Sequence, residues 1–323
     1  MSRVVALEEH FYLPDPAGRL SDHAGSLSWL NPVTTARLAD LGAARIEDMD
    51  ANGIDVQVLS ASMPGADLLD GRDGVEYAVA VNDRLAAAVS EHPARFGGFA
   101  HLPMRSPEAA ADELRRSVEQ LGLSGAMING TTSGSFLDQP RFAVLLERAE
   151  ALEVPLYLHP NLPPAPVADA YYAGLPEPVG QLLATGLFGW HAEVAIHVMR
   201  LVLSGTTARY PRLKFIIGHM GEMLPAIIGR ADAILARAGA FPGSLLQHVA
   251  ERVYVTTSGV FTVPPLLAAL TTFGADRIMF SVDYPYSDNR DGAAYLRTLP
   301  VSPADLAKIA HQNADGLLRL KAQ

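Results

Sequence analysis

The chain has 323 residues, 49% of them hydrophobic and 19% charged, which supplies a large core and excludes a disordered polymer. A formal net charge of −10 gives no electrostatic basis for binding nucleic acid or an anionic membrane. The absence of cysteine excludes disulfides, thiolate metal sites and cysteine nucleophiles, leaving oxygen and imidazole as the available ligands.

The chain begins MSRVVALEEH, with acidic residues where a signal peptide would continue its apolar core. No uninterrupted apolar run reaches the roughly 18 residues of a membrane span, so the expectation is a soluble cytoplasmic protein. The first strand candidate, Val4 to Leu7, ends abruptly in Glu8-Glu9-His10. A helical stretch, Ala44 to Asn52, leads through Gly53 into Val56–Leu59. An alanine-rich helix over 75–91 precedes the strand candidate 96–101, and a helix over 107–121 precedes Gly125–Asn129. Helix 141–151 then leads to Pro155–His159, and helix 192–205 to Leu213–Gly218 and His219. Helices near Glu222 and over 242–249 precede Val253–Thr256, and helix 264–273 precedes Ile278–Val282 and Asp283. Two further helices finish the chain. Eight strands alternating with helices predict a parallel sheet, and eight such units favour a closed (β/α)₈ TIM barrel over an open sheet. The expected domain organisation is one barrel spanning 1–323, with inserted loops after strands 1 and 5 (11–43 and 160–190) and extra C-terminal helices.

Four strand ends carry polar residues that a buried parallel strand does not ordinarily tolerate: Glu8-x-His10, His159, His219 and Asp283. The C-terminal ends of barrel strands converge on one rim, so these groups can meet in space. Residues two apart in an extended strand share a face, which sets Glu8 with His10 and turns Glu9 the other way. Imidazoles with carboxylates suit Zn²⁺ or Mn²⁺ with a coordination position left open.

The segments ALEEHF, LYLHP, GWHAEVAIHVMRLVLSG, YPRLKFIIGHMGE and FSVDYPY resemble the amidohydrolase-2, or ACMSD-like, branch of the amidohydrolase superfamily. Within it they are similar to the γ-resorcylate and 2,3-dihydroxybenzoate decarboxylases. The superfamily pattern opens with His-x-His; here the first position is Glu8, a departure that marks the hydroxybenzoate decarboxylase group. The resemblance implies that Glu8, His10, His159 and Asp283 bind one metal ion, Zn²⁺ or Mn²⁺, with no organic cofactor. It implies a polar pair, His219 and Glu222, beside that metal, with Arg230 approaching the substrate carboxylate and Asn129 facing the substrate. Binuclear members carry a carboxylated lysine at the end of strand 4; that strand ends here in Met-Ile-Asn, which points to a mononuclear site. The implied partner is a small aromatic carboxylic acid, and the implied assembly a homodimer or homotetramer.

The implied reaction is non-oxidative decarboxylation of a hydroxybenzoate-type acid to CO₂ and a phenol. Asp283, screened from water so that it holds a proton, is the expected donor to the ring carbon, with His219 and Glu222 tuning or relaying that proton. The alternative is a metal-dependent hydrolase of the same superfamily, a lactonase or amidohydrolase, with Asp283 as base. A scaffold barrel without activity is disfavoured by the full ligand set. His191 and His197 read as packing or loop-tethering residues, and His23, His92, His101, His248 and His311 as structural or surface. Asn82, Asp83 and Arg84 read as a hydrogen-bonding network on a helix face.

Overall fold

The computed structural model describes residues 3–15, 17–20, 31–63 and 65–320; His23 and part of the first inserted loop lie outside the described residues. Among the described residues nine strand segments follow in order: β1 (Val5–Phe11), β2 (Val56–Ala61), β3 (Phe96–Gly98), β4 (Ala100–His101), β5 (Ala126–Asn129), β6 (Leu156–His159), β7 (Phe215–Ile217), β8 (Val253–Thr256) and β9 (Ile278–Met279). β3 and β4 are the two halves of one stave, interrupted at Phe99. All pairings are parallel and sequential, β1 to β3 and β4 to β9. The Phe99 amide donates to Leu59 O at 2.9 Å and the Leu7 amide to Phe280 O at 3.2 Å, joining the two sheets on both sides. The result is the closed TIM barrel that the alternation of elements predicts.

Two apolar layers follow from that closure. Val5, Leu7, Val58, Phe99, Met127, Tyr157, Ile216 and Met279 fill the barrel, and Ala314 and Leu318 of the last helix pack against the same cluster. The larger layer lies between strands and outer helices, where residues at helical spacing, such as Tyr77, Val81, Leu85 and Ala88 of helix Gly71–Glu91, are buried together. Strands buried on both faces explain their near-continuous apolar runs.

Helix starts and stops have local causes. Asn31 caps helix Pro32–Ala39 by accepting from the Thr34 amide, and Gly53, with φ of 72°, ends helix Ala43–Asn52. The helix expected near Glu222 begins two residues later, at Leu224 with a proline in its first turn, because Glu222 and Met223 hold positive φ angles of 52° and 66°. The stretch Val179–Leu203 is long and apolar enough to cross a membrane by length and composition. It breaks at Thr185 (φ −114°, ψ −123°), and Val194, Val198, Leu201 and Val202 on its inner side pack into the core.

Candidate active site

The barrel rim brings together the groups at the strand ends. His159 Nε2 lies 3.6 Å from Glu8 Oε1, and His10 Nε2 lies 3.3 Å from Asp283 Oδ1. Glu8, His10 and His159 each offer a ligand atom within 4.8 Å of the others. His159 Nδ1–H donates to Pro160 O at 2.7 Å, which leaves the Nε2 lone pair facing inward, and burial pushes the ring down to about 3, keeping it neutral. Ser60 Oγ lies 3.3 Å from His10 Nδ1 and orients that ring likewise.

The residues present fit a divalent cation. Glu8 Oε1 and His10 Nε2 are buried and find no hydrogen-bond partner among the described residues. The other Glu8 oxygen is saturated: Tyr157 OH and Ser258 Oγ donate to Oε2, with Thr256 Oγ1 at 3.3 Å. Burial raises Glu8 above the ordinary carboxylate range, against the pull of His219. A cation held there would supply the charge that a fully buried carboxylate otherwise lacks.

Glu8 and His10 do not meet by strand alternation alone. Glu8 has φ of 58°, and the β1–β2 register shifts between Ala6 and Glu9, so a bulge turns Glu8 into the barrel. Glu9 points away, as alternation predicts, and does structural work there. Its carboxylate accepts from the Val282 and Tyr284 amides at 2.8 and 3.1 Å, the residues on either side of Asp283. Burial nevertheless pushes Glu9 up to about 8. Asp283, with φ of 71°, is thereby presented to His10. Positive φ at Glu8, His219, Glu222 and Asp283 concentrates backbone strain at this rim.

His219 and Glu222 are in contact: His219 Nδ1 lies 2.7 Å from Glu222 Oε1, and His219 Nε2 faces Asp283 Oδ2 at 3.9 Å. Burial lowers His219, but Glu222 and Glu8 more than reverse this, and the imidazole titrates well above its ordinary value. Burial raises Glu222, but His219 and His191 hold it well below the usual carboxylate range. Asp283 is raised by burial and brought below its ordinary value by His10 and His219. Among the chain's own charges, two imidazoles face one carboxylate, so His10 and His219 favour the ionised form of Asp283.

Above this floor lies a cavity of about 340 Å³ lined by Ser62, Met63, Leu162, Leu182, Trp190 and Tyr286, with His159, His219 and Asp283 at its base. The second inserted loop supplies much of the wall, as its position after a ligand-bearing strand predicts. Ser62 Oγ and Tyr286 OH pair at 2.5 Å across one side.

The sequence model of the amidohydrolase family matches residues 10–320. The chain belongs to the amidohydrolase family. It is 37% identical to decarboxylase orsB of Emericella nidulans, over 98% of this chain and 97% of that one. It is also 37% identical to a γ-resorcylate decarboxylase of Polaromonas sp., over 99% of both chains. The crystal structure of a dihydroxybenzoic acid decarboxylase from Polaromonas sp., with bound manganese and the inhibitor 2-nitroresorcinol, superposes with a TM-score of 0.89 at 35% identity, covering 100% of this chain and 98% of that one.

In this amidohydrolase the expected residues divide. Glu8, His10, His159, Asp283, His219 and Glu222 converge. Asn129 ends β5 beside His159 and is buried, with an unpartnered Oδ1, but among the described residues it does not line the cavity; it lies against Asp67 instead. Arg230 does not approach the site within the chain. Leu224 and Ile228 set the inner face of their helix, and Arg230, about 200° from Ile228 around the axis, lies on the exposed side.

Several contributors to the amidohydrolase site escape sequence reasoning. Tyr157 and Thr256 read as ordinary strand residues and Ser258 carries no signal at all, yet all three hold Glu8. Arg45, fully buried, donates to His10 O at 2.6 Å and Asp40 O at 2.8 Å and stacks 4.9 Å from the Tyr284 ring. His191 Nδ1 lies 2.5 Å from Glu222 Oε2, whereas His197 accepts from the Leu137 amide at 3.1 Å and takes no part. The sole signal for His191 was its place within the GWHAE segment.

Proposed function

We propose that this amidohydrolase is a metal-dependent, non-oxidative decarboxylase of a hydroxylated aromatic acid, releasing CO₂ and a phenol. The observation that carries the reading is a ligand cluster beneath a chamber walled by Met63, Leu162, Leu182 and Trp190, which suits a flat, largely apolar ring with its polar edge turned to the floor. The relatives named γ-resorcylate decarboxylase and dihydroxybenzoic acid decarboxylase support it. Glu8, His10, His159 and Asp283 would hold one Zn²⁺ or Mn²⁺, which when bound supplies a template and charge stabilisation for the carboxylate and an ionised ortho-hydroxyl.

The chain's own residues perform the proton transfer. Asp283, at the cavity floor, delivers a proton to the ring carbon that bears the carboxylate. The bond from that carbon to the carboxyl carbon then breaks, its electrons restore the aromatic ring, and CO₂ departs. His219, charged against Glu222, returns a proton to Asp283. Apolar walls keep water from the reacting carbon. We read the protein as a single-domain cytoplasmic enzyme and a homodimer or homotetramer, its contacts built on the exposed apolar side chains Tyr171, Leu187 and Phe188.

The test is a product assay. Metal-loaded protein is incubated with 2,3-, 2,4- and 2,6-dihydroxybenzoate, salicylate and a carboxyvanillate, and loss of acid and appearance of phenol are followed by chromatography. Phenol formed with metal and abolished by a chelator supports the decarboxylase. No turnover on any of these acids, with hydrolysis of a lactone instead, replaces the reading with the hydrolase.

A further inference from the structure

His191 lies in the first turn of helix Gly189–Leu203, and both of its ring nitrogens face acceptors: Nδ1 is 2.5 Å from Glu222 Oε2 and Nε2 is 3.1 Å from Gly186 O. A carbonyl has no proton to give, so Nε2–H donates to Gly186. On the other side of the ring Nδ1 meets the Glu222 carboxylate, which accepts from it. The buried Glu222 carboxylate is thus gripped at both oxygens by imidazoles, Oε2 by His191 and Oε1 by His219 at 2.7 Å. The two rings meet nearly edge to face, with centroids 5.3 Å apart. Gly186 and Trp190, flanking this helix start, line the cavity.

The last torsion of a glutamate is soft and roughly two-fold, so a carboxylate held at one oxygen can swing. Held at both, it cannot. Building on the decarboxylase reading, we infer that His191 is a positioning residue for proton transfer: by gripping Glu222 Oε2 it keeps Oε1 on His219 Nδ1 and so fixes the His219 ring with Nε2 toward Asp283 and the cavity. The same ring ties the Gly186 turn of the cavity wall to this unit, so the wall and the proton relay share one anchor.

Isosteres separate the two contacts. An asparagine amide sits near the place of Nδ1 and can still donate to Glu222; a glutamine amide sits near the place of Nε2 and reaches Gly186. The full-length, metal-loaded protein is assayed with the hydroxybenzoate that the wild type decarboxylates, and bound metal is measured in parallel. His191→Ala is expected to lower kcat about 10- to 100-fold, with KM and metal content little changed. His191→Asn should recover most of the loss and His191→Gln should not. His191→Ala should add nothing in a Glu222→Gln background. Nitrogen-15 NMR of labelled histidine should show the protonated His219 Nδ1 in wild type and His191→Asn, and its loss in His191→Ala. Recovery by glutamine rather than asparagine, full additivity with Glu222→Gln, or unchanged kcat with only a lowered Tm would overturn the inference. A wild type inactive on every hydroxybenzoate defeats the functional reading instead, while the NMR comparison still decides the role of His191.

Discussion

Gly218 and Glu8 fit together so closely that a Cβ on Gly218 would lie 2.7 Å from Glu8 Oε2. The backbone at Gly218 is ordinary, with φ of −79°, so the requirement is for space and not for conformation. The missing side chain leaves room for the hydroxyls of Tyr157 and Ser258 to hold Oε2 while Oε1 stays free.

Gly218→Ala should therefore displace the Glu8 carboxylate and weaken metal binding at least tenfold, with overpacking costing about 1–3 kcal/mol of stability. Metal analysis after dialysis, together with thermal melting, checks both. Full metal occupancy in the alanine variant would show that Glu8 does not depend on that gap.

Glu222→Gln removes the negative charge that keeps His219 protonated and leaves two imidazoles around a neutral amide. The expected loss in kcat is about 10²-fold or more, with KM nearly unchanged, since neither residue is expected to bind the ring carboxylate. Steady-state kinetics on an accepted hydroxybenzoate measure it; a variant that changes KM alone contradicts the relay.

Asp283→Asn should abolish turnover, because the amide has no proton to deliver at that acidity, while an aromatic acid still enters the cavity. Calorimetry of substrate binding to the inactive variant separates the two effects. Measurable decarboxylation by Asp283→Asn removes this residue from the donor role.

Arg45→Leu deletes a buried guanidinium that satisfies His10 O and Asp40 O and stacks on Tyr284. Leaving those carbonyls unpaired should cost about 3 kcal/mol or more, read as a lower denaturant midpoint. The same change loosens the backbone at His10, so metal affinity should fall with it.

Two histidines away from the rim cluster predict acid sensitivity. Burial pushes His101 down to about 4 and His197 to about 3, and each ring accepts a backbone amide, from Ala66 at 2.9 Å and Leu137 at 3.1 Å. In the unfolded chain both titrate near 6.5, so below that pH the unfolded state binds protons that the native state refuses. Their stabilisation is complete above pH 6.5 and is lost progressively as pH falls toward the folded values. Between pH 6.5 and 5 the two rings together should cost roughly 3 kcal/mol, seen as a falling urea midpoint. A flat midpoint over that range would show that the rings accept protons without unfolding.

The sequence by itself determined the barrel and most of its rim. Apolar runs of strand length alternating with helical periodicity leave few topologies, and closure places every strand end on one face, so Glu8, His10, His159, His219 and Asp283 were legible as a group. Local rules also placed Glu9 away from Glu8. The tertiary structure decided how those side chains aim. The bulge at Glu8 and the positive φ angles from His219 to Met223 are backbone choices that periodicity does not encode, and they displaced the expected helix start at Glu222. Whether Arg230 faces the site depends on the rotation of its helix, which Leu224 and Ile228 fix by packing. The grip of His191 on Glu222 and the hold of Tyr157 and Ser258 on Glu8 join residues 31, 149 and 250 positions apart, and only closure of the barrel creates such contacts.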